Sequence, residues 1–299
     1  MERSATIDGF SLAYDRFGPD ASDPAVVLLH GWPGDRHDWR EVVPLLEAEG
    51  RATVLVPDLR GFGASDTHAS ADAESYAAAG QAASLLGLMR ELAIGQAVIA
   101  GYDVGSRVAQ QMAREAPDAV CAMVLAPPLP GAGERVLSEG AVREFWYQSF
   151  HRLELAERLI DGNPTAARAY LEHFWTRWSG PAYTPDPAEL DRLAEGYGVP
   201  GAFTASIGWY RAGSGTVARS LAERAPARED RIAVPTTVLW PAHDPLFPPE
   251  WGDRIGEFFS AATVQRLPDA GHFSPLEAPA AFAAAVSAAL PDEAAGRVR

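Results

Sequence analysis

Three short segments hold the side chains with the most reactive potential. Val98-Ile99-Ala100-Gly101-Tyr102-Asp103-Val104-Gly105-Ser106 runs from an apolar strand into Gly-x-Asp-x-Gly and then into helix-forming residues. The small residues on either side of Asp103 permit a sharp, strained turn between strand and helix. An unperturbed aspartate has a pKa of about 3.9, so this carboxylate is ionised at neutral pH and needs no base to attack. A carboxylate nucleophile suits displacement at a saturated carbon, which leaves an alkyl ester that water must then cleave. That second step requires a base. His272, in Ala270-Gly271-His272-Phe273, follows the last strand, and Asp244, in Ala242-His243-Asp244-Pro245, follows the strand before it. Asp244 is placed to hold the imidazole in the useful tautomer. Leu29-His30-Gly31-Trp32-Pro33 ends the first parallel strand. There the backbone N–H groups of Trp32 and Val104 would meet the oxyanion formed when water attacks the ester. His30 is read as ordering this loop through hydrogen bonds, and Pro33 as a tight-turn residue of undetermined isomer.

Bringing these segments together is the work of the elements between them. Ala25 to Leu29, Thr53 to Val56, Ala97 to Ala100 and Ala122 to Leu125 are apolar throughout, which predicts buried parallel strands. Ala79 to Leu92 and Ser106 to Glu115 carry helix formers at helical spacing. Such alternation implies a mostly parallel sheet with helices on both faces. Ahead of it, residues 5 to 17 alternate around Asp8-Gly9, a pair suited to a type I′ turn, and predict an antiparallel hairpin at the sheet edge. After Leu125 the rhythm breaks. Pro127-Pro128-Leu129-Pro130-Gly131 stops any helix, and the following stretch holds Trp146, Trp175, Trp178, Trp209 and five tyrosines without a strand pattern. It reads as an inserted helical lid over 129–230, between a first core part, 1–128, and a second, 231–299. Strands resume at Thr236 to Trp240 and Thr263 to Leu267, and a final helix covers Pro279 to Leu290.

Composition narrows the classes. The 299 residues are 47% hydrophobic and 22% charged, which is the balance of a folded globular chain. A formal charge of -15 opposes binding to nucleic acid or to an anionic membrane surface. Cys121 is the sole cysteine, so there is no internal disulfide and no thiolate-rich metal site. We expect no metal and no other cofactor. Met1-Glu2-Arg3-Ser4 lacks the apolar stretch of a signal peptide, and a cytoplasmic location is the default expectation. Gly61 to Ser65 is followed by Asp66 where a dinucleotide fingerprint needs glycine, so a structural turn is expected there.

His30-Gly31-Trp32-Pro33, Gly61-Phe62-Gly63-Ala64-Ser65 and the Asp103 turn together resemble the soluble epoxide hydrolase family, from about Thr6 to Val286. The resemblance implies an α/β-hydrolase fold, whose members keep the chain order nucleophile, acid, histidine found here as Asp103, Asp244 and His272. It also implies two lid tyrosines that bind the epoxide oxygen. Tyr147-Gln148 is similar to the family's first lid motif and Trp209-Tyr210-Arg211 to the second, although Tyr170, Tyr183 and Tyr197 compete for the role. Opening an epoxide makes an alkoxide, and phenols donate to it well at neutral pH. Trp32, Trp146, Gln148, Trp209 and Phe273 are the expected substrate contacts. The expected partners are a small hydrophobic epoxide and water, and a homo-oligomer is compatible with the sequence.

Two rivals differ in class. Haloalkane dehalogenases resemble this chain but carry tryptophan where Val104 stands. Fluoroacetate dehalogenases grip the substrate carboxylate with two arginines; Arg107 matches one and Val104 occupies the other position, while Phe145 stands where their lid motif has histidine before Trp146. A non-catalytic ligand-binding protein of the same fold is the other rival, and an intact triad argues against it. A serine esterase is excluded, because the turn carries aspartate and Ser106 lies beyond its apex.

Overall fold

The computed structural model describes residues 1–19, 22–68 and 71–291. Its centre is an eight-stranded sheet of β1 (Glu2–Arg3), β2 (Ala13–Phe17), β3 (Ala25–Leu29), β4 (Val54–Pro57), β5 (Ala97–Gly101), β6 (Val120–Leu125), β7 (Thr236–Pro241) and β8 (Ala262–Leu267). Their order across the sheet is β1-β2-β4-β3-β5-β6-β7-β8. Only the pairings of β2 with β1 and β4 are antiparallel. Every residue of β3, β4 and β5 is buried. Because neighbouring side chains point to opposite faces, both faces of the sheet are covered over these three strands, while β1 and most of β8 at the two edges are exposed. The covering helices include α1 (Val43–Glu49), α2 (Ala78–Glu91) and α3 (Val104–Glu115). From β3 the chain goes out to β4 and returns to β5 on the other side of β3. That reversal opens a crevice at the carboxyl ends of β3 and β5, the usual place for a site in such sheets.

The opening hairpin is shorter than the alternation of residues 5 to 17 predicts. Asp8 and Gly9 do turn with positive φ, 50° and 85°, but only Ile7 and Phe10 bridge across them. Beyond that bridge other groups take the donors: Ser4 Oγ accepts the Leu12 N–H at 2.9 Å and the Asp66 carboxylate accepts the Ser11 N–H at 2.8 Å. The first strand is therefore displaced to Glu2–Arg3.

Between β6 and β7 stand α4 (Glu139–Glu144), α5 (Trp146–Phe150), α6 (Glu154–Ile160), α7 (Pro164–Trp178), α8 (Pro187–Tyr197), α9 (Ala202–Ser206), α10 (Gly208–Arg211) and α11 (Val217–Ala222), with no strand among the described residues. α7 starts cleanly, with Asn163 accepting the Ala166 N–H at 3.1 Å and Pro164 just inside. This helical insertion is fastened to the loop after β3. Trp175 Nε1 donates to the Pro33 carbonyl at 3.1 Å, the Tyr197 hydroxyl bonds the backbone of Gly34, and Arg192 forks onto Asp35 at 2.7 and 3.0 Å. The chain closes with β7, β8, α12 (Ser274–Glu277) and α13 (Pro279–Ala289). No helix among the described residues is long and apolar enough to cross a membrane.

Candidate active site

Asp103 sits between β5 and α3 with φ 48° and ψ -121°, a conformation that L-residues seldom adopt. Holding it costs about 1–3 kcal/mol, and the surroundings supply that. The Asp103 N–H donates to the Pro127 carbonyl at 2.9 Å and the Gly105 N–H to the His30 carbonyl at 2.9 Å. Gly105 has no alternative, since a Cβ there would collide with the carbonyl oxygen of Leu29. The turn leaves the two oxygens of a buried carboxylate in different settings. Oδ1 accepts the Trp32 N–H at 2.8 Å, whereas Oδ2 faces His272 Nε2 at 3.4 Å. The Val104 N–H, first in α3, has no acceptor among the described residues and lies next to the same carboxylate. An oxyanion formed at the position of Oδ1 would meet these donors. The Trp32–Pro33 peptide is cis.

His272 is wholly buried, and Asp244 Oδ2 lies 2.9 Å from its Nδ1. The other Asp244 oxygen accepts the Leu246 N–H at 2.8 Å, which fixes the carboxylate. Burial alone would lower the imidazole pKa, but the charges of Asp244 and Asp103 outweigh it and raise it to about 10. While both carboxylates are ionised, the imidazole holds a proton at neutral pH. Neutralising Asp103 removes one of the two supports, and the imidazole then moves towards being a base.

The loop that carries His272 is held by a residue that sequence reasoning missed. Glu277 accepts the N–H groups of Gly271 at 2.6 Å and Phe273 at 3.0 Å, on either side of the histidine, and that of Gly180 from the insertion at 2.7 Å. The His272 N–H itself donates to the Trp178 carbonyl at 2.8 Å. A glutamate in the first turn after a predicted catalytic loop was the only signal in the sequence. Glu277→Gln should lower kcat about tenfold with little change in KM, because an amide cannot accept from all three donors. Calorimetry should show a loss of about 1–3 kcal/mol for the stranded N–H; unchanged kcat and melting temperature would refute this positioning role.

A cavity of about 620 Å³ opens in front of Asp103, with Tyr147, Gln148, Trp209 and Tyr210 on its wall. The rings of Tyr147 and Tyr210 meet edge to face, 5.6 Å between centroids. The competing tyrosines are otherwise engaged or outside the wall: Tyr170 bonds His151 at 2.9 Å, Tyr197 bonds Gly34, and Tyr183 is absent from the lining. Burial first, then the charge of Asp103, raises the Tyr147 pKa above that of an ordinary phenol. Burial first, then Tyr147 and Asp103, does the same for Tyr210. Both therefore stay protonated at neutral pH.

Three expected substrate contacts are not on this wall. Trp32 lies behind it, fully buried and stacked on the Tyr147 ring at 5.6 Å. Trp146 faces outward, 41% exposed and stacked on Phe174, because neighbours on a helix point about 100° apart and α5 turns Tyr147 and Gln148 inward. Phe273 is fully buried against Trp175, 4.5 Å between centroids. None of the three rings is on the lining of the cavity.

The family model described as alpha/beta hydrolase fold matches residues 24–279. The chain belongs to that family. Among curated relatives of this α/β hydrolase, the soluble epoxide hydrolase of Corynebacterium sp. (strain C12) is 28% identical over 291 residues, 92% of each chain. Fluoroacetate dehalogenase of Burkholderia sp is 30% identical over 200 residues, 66% of this chain and 64% of that enzyme. Among solved structures, one of the epoxide hydrolases from metagenomes of hot environments superposes with a TM-score of 0.80 at 25% identity, over 98% of each chain. Family and relatives together make this chain a hydrolase.

Proposed function

We propose that this α/β hydrolase opens epoxides to vicinal diols through an alkyl ester on Asp103. One observation carries the reading: an ionisable carboxylate, bonded to Trp32 N–H and facing an imidazole, looks across a single cavity at two protonated phenols. Asp103 Oδ2 attacks an epoxide carbon, the C–O bond of the ring breaks, and Tyr147 or Tyr210 gives its proton to the departing alkoxide. Esterification removes the charge beside Nε2, so the imidazolium sheds its proton to solvent, which balances the proton that the tyrosine recovers. His272 then takes a proton from water while the water oxygen adds to the ester carbon. The oxyanion develops on Oδ1, against the N–H groups of Trp32 and Val104. The bond from carbon to Oδ2 breaks as the imidazolium returns its proton to that leaving oxygen, the diol leaves with Oδ2, and the new carboxyl group passes its proton to the imidazole, which restores the carboxylate and imidazolium.

This route moves an enzyme oxygen into product. A single turnover of excess enzyme with styrene oxide in oxygen-18 water should leave the label in the peptide that holds Asp103 and give unlabelled diol. Label in the diol alone would mean that water attacks the epoxide directly, and the ester would be discarded.

The local match to a fluoroacetate dehalogenase supports a second reading, displacement of halide by the same carboxylate. The site opposes it. Arg107, the one arginine near Asp103 on α3, is committed to Glu223 at 3.0 Å and to the Leu129 carbonyl at 3.1 Å. Val104 offers no second guanidinium, so a small carboxylate beside Asp103 would lack its two-armed grip. Halide release from fluoroacetate faster than diol release from styrene oxide would reverse the order of these readings.

A further inference from the structure

Directly before the nucleophile stands a buried polar pair that the ester route does not use. The Tyr102 hydroxyl donates to Asp38 Oδ2 at 2.5 Å, and both side chains are buried. Asp38 lies in the 3-10 turn Arg36–Trp39, on the loop after β3 that also carries the Trp32 N–H. Among the described residues its carboxyl has no other side-chain partner. Burial first, and then the charge of Asp35, push that carboxyl well above the ordinary carboxylate range. Arg40 and Arg192, whose charges oppose this, turn instead to the His37 carbonyl and to Asp35. Burial, and then Asp38, raise the Tyr102 phenol likewise, and a hydrogen bond from the Gly31 backbone offsets this in part. The pair is thus held towards two neutral groups, one donating to the other.

Its placement ties the nucleophile turn to the loop after β3. Gly31 is wedged against Tyr102 and Asp103, since a Cβ there would lie 2.6 Å from Asp103 Cβ and 2.9 Å from Tyr102 Cε2. The next N–H in the chain, that of Trp32, is the one that bonds Asp103 Oδ1 at 2.8 Å. Two residues further on, a Cβ on Gly34 would collide with the Asp38 carboxyl. Gly31 and Gly34 therefore rest against the two members of the pair, and Trp32 is spanned between them. The Tyr102 ring is further held edge to face by Trp39 and His272, at 6.3 and 6.1 Å between centroids.

We propose that Tyr102 and Asp38 are positioning residues for hydrolysis of the ester, fixing the Trp32 N–H where negative charge develops on Asp103 Oδ1. This inference rests on the ester reading of Asp103 and deepens it. When the epoxide opens, charge leaves Asp103 for the alkoxide, and the Trp32 N–H serves only to orient the carboxylate. When water adds to the ester, charge gathers on Oδ1, and an N–H that has drifted from its place stabilises it less. Loss of the Tyr102 to Asp38 bond should therefore fall on the second step.

The test is a rapid-quench measurement with styrene oxide that follows formation and loss of the ester on Asp103. Tyr102→Phe keeps the ring against Gly31 and should slow ester hydrolysis about tenfold, less than the loss of a whole oxyanion donor, while ring opening stays within about twofold. As ester accumulates, kcat and KM should fall together with kcat/KM unchanged, which a general loosening of the site would not produce. Asp38→Asn, a neutral acceptor of the same shape, should hydrolyse the ester at close to the wild-type rate. Asp38→Leu should match Tyr102→Phe, and the double variant Tyr102→Phe/Asp38→Leu should be no slower than either. The burst amplitude counts folded sites, so both rates are read per competent chain. Unchanged ester hydrolysis in Tyr102→Phe, equal slowing of both steps, or no advantage of Asp38→Asn over Asp38→Leu would overturn the inference and leave the ester route intact. If the wild type forms no ester on Asp103, the ester route falls and this inference with it.

Discussion

With His272→Gln, the enzyme should consume one equivalent of epoxide and then stall as the ester. Ring opening uses the Asp103 carboxylate, and the bond that its Oδ1 accepts from the Trp32 N–H at 2.8 Å does not involve the histidine. Hydrolysis of the ester is different, because a neutral water needs a base at the position of Nε2, 3.4 Å from Asp103 Oδ2. Loss of that base should slow the second step by about 100-fold to 10,000-fold. Glutamine is the right replacement because its amide can still donate to Asp244, which would otherwise be a buried carboxylate short of a partner. Mass analysis of the peptide containing Asp103 should show the added mass of the epoxide at one per chain. Asp103→Ala in the same assay should show neither adduct nor diol. Steady turnover by His272→Gln at the wild-type rate, or diol formation by Asp103→Ala, would sink the covalent route.

What the residues revealed in advance depended on whether the constraint was local. The β5 to α3 turn was legible because there is no room for a side chain two residues to either side of Asp103, where Gly101 packs on the Gly105 backbone and Gly105 abuts the Leu29 carbonyl, and glycine is a residue type visible in the sequence. The buried strands were legible because apolar runs on both faces have one explanation; β3 begins and ends as predicted, and the others shift by one or two residues. Helix α1 was not anticipated: it is seven residues long, and Pro44 in its first turn resembles a breaker when tertiary contacts are unknown. The hairpin was overextended because nothing near Ser11 announces that Asp66, 55 residues later, claims its N–H.

The same distinction holds at the site. Asp103, Asp244 and His272 follow the ends of β5, β7 and β8, so sheet topology carries them to the same edge of the sheet. Direction around a short helix is set by packing, and so Trp146 could not be told from Tyr147 as a cavity residue. Glu277 and the Trp178 carbonyl act through backbone donors, which no side-chain motif advertises. Among five tyrosines in the insertion, the choice depends on which hydroxyls are already engaged. Tyr197 faces the backbone of Gly34 and Tyr170 faces a histidine; this bookkeeping is three-dimensional.

That choice carries the other large expected effect. Tyr147→Phe/Tyr210→Phe should slow ring opening by about 100-fold to 10,000-fold, since the alkoxide would form in a buried cavity without a donor. Each single variant should lose far less, about tenfold, because the remaining phenol can still reach an oxygen held between them, and effects at one acceptor do not add. The loss must fall on the first step alone. Stopped-flow measurement of ester formation should show it, while the rate at which preformed ester disappears should stay near that of the wild type, as hydrolysis relies on His272 and the N–H groups of Trp32 and Val104. The pH profile offers a separate check. Burial raises both phenol pKa values above the ordinary range, so ring opening should not fall as pH rises through 10, where an exposed tyrosine would ionise. Wild-type ring opening in the double variant would show that the alkoxide is met by another donor. Gln148, on the same wall with a buried and unpartnered carbonyl oxygen and an amide group able to donate, would then be the first residue to substitute.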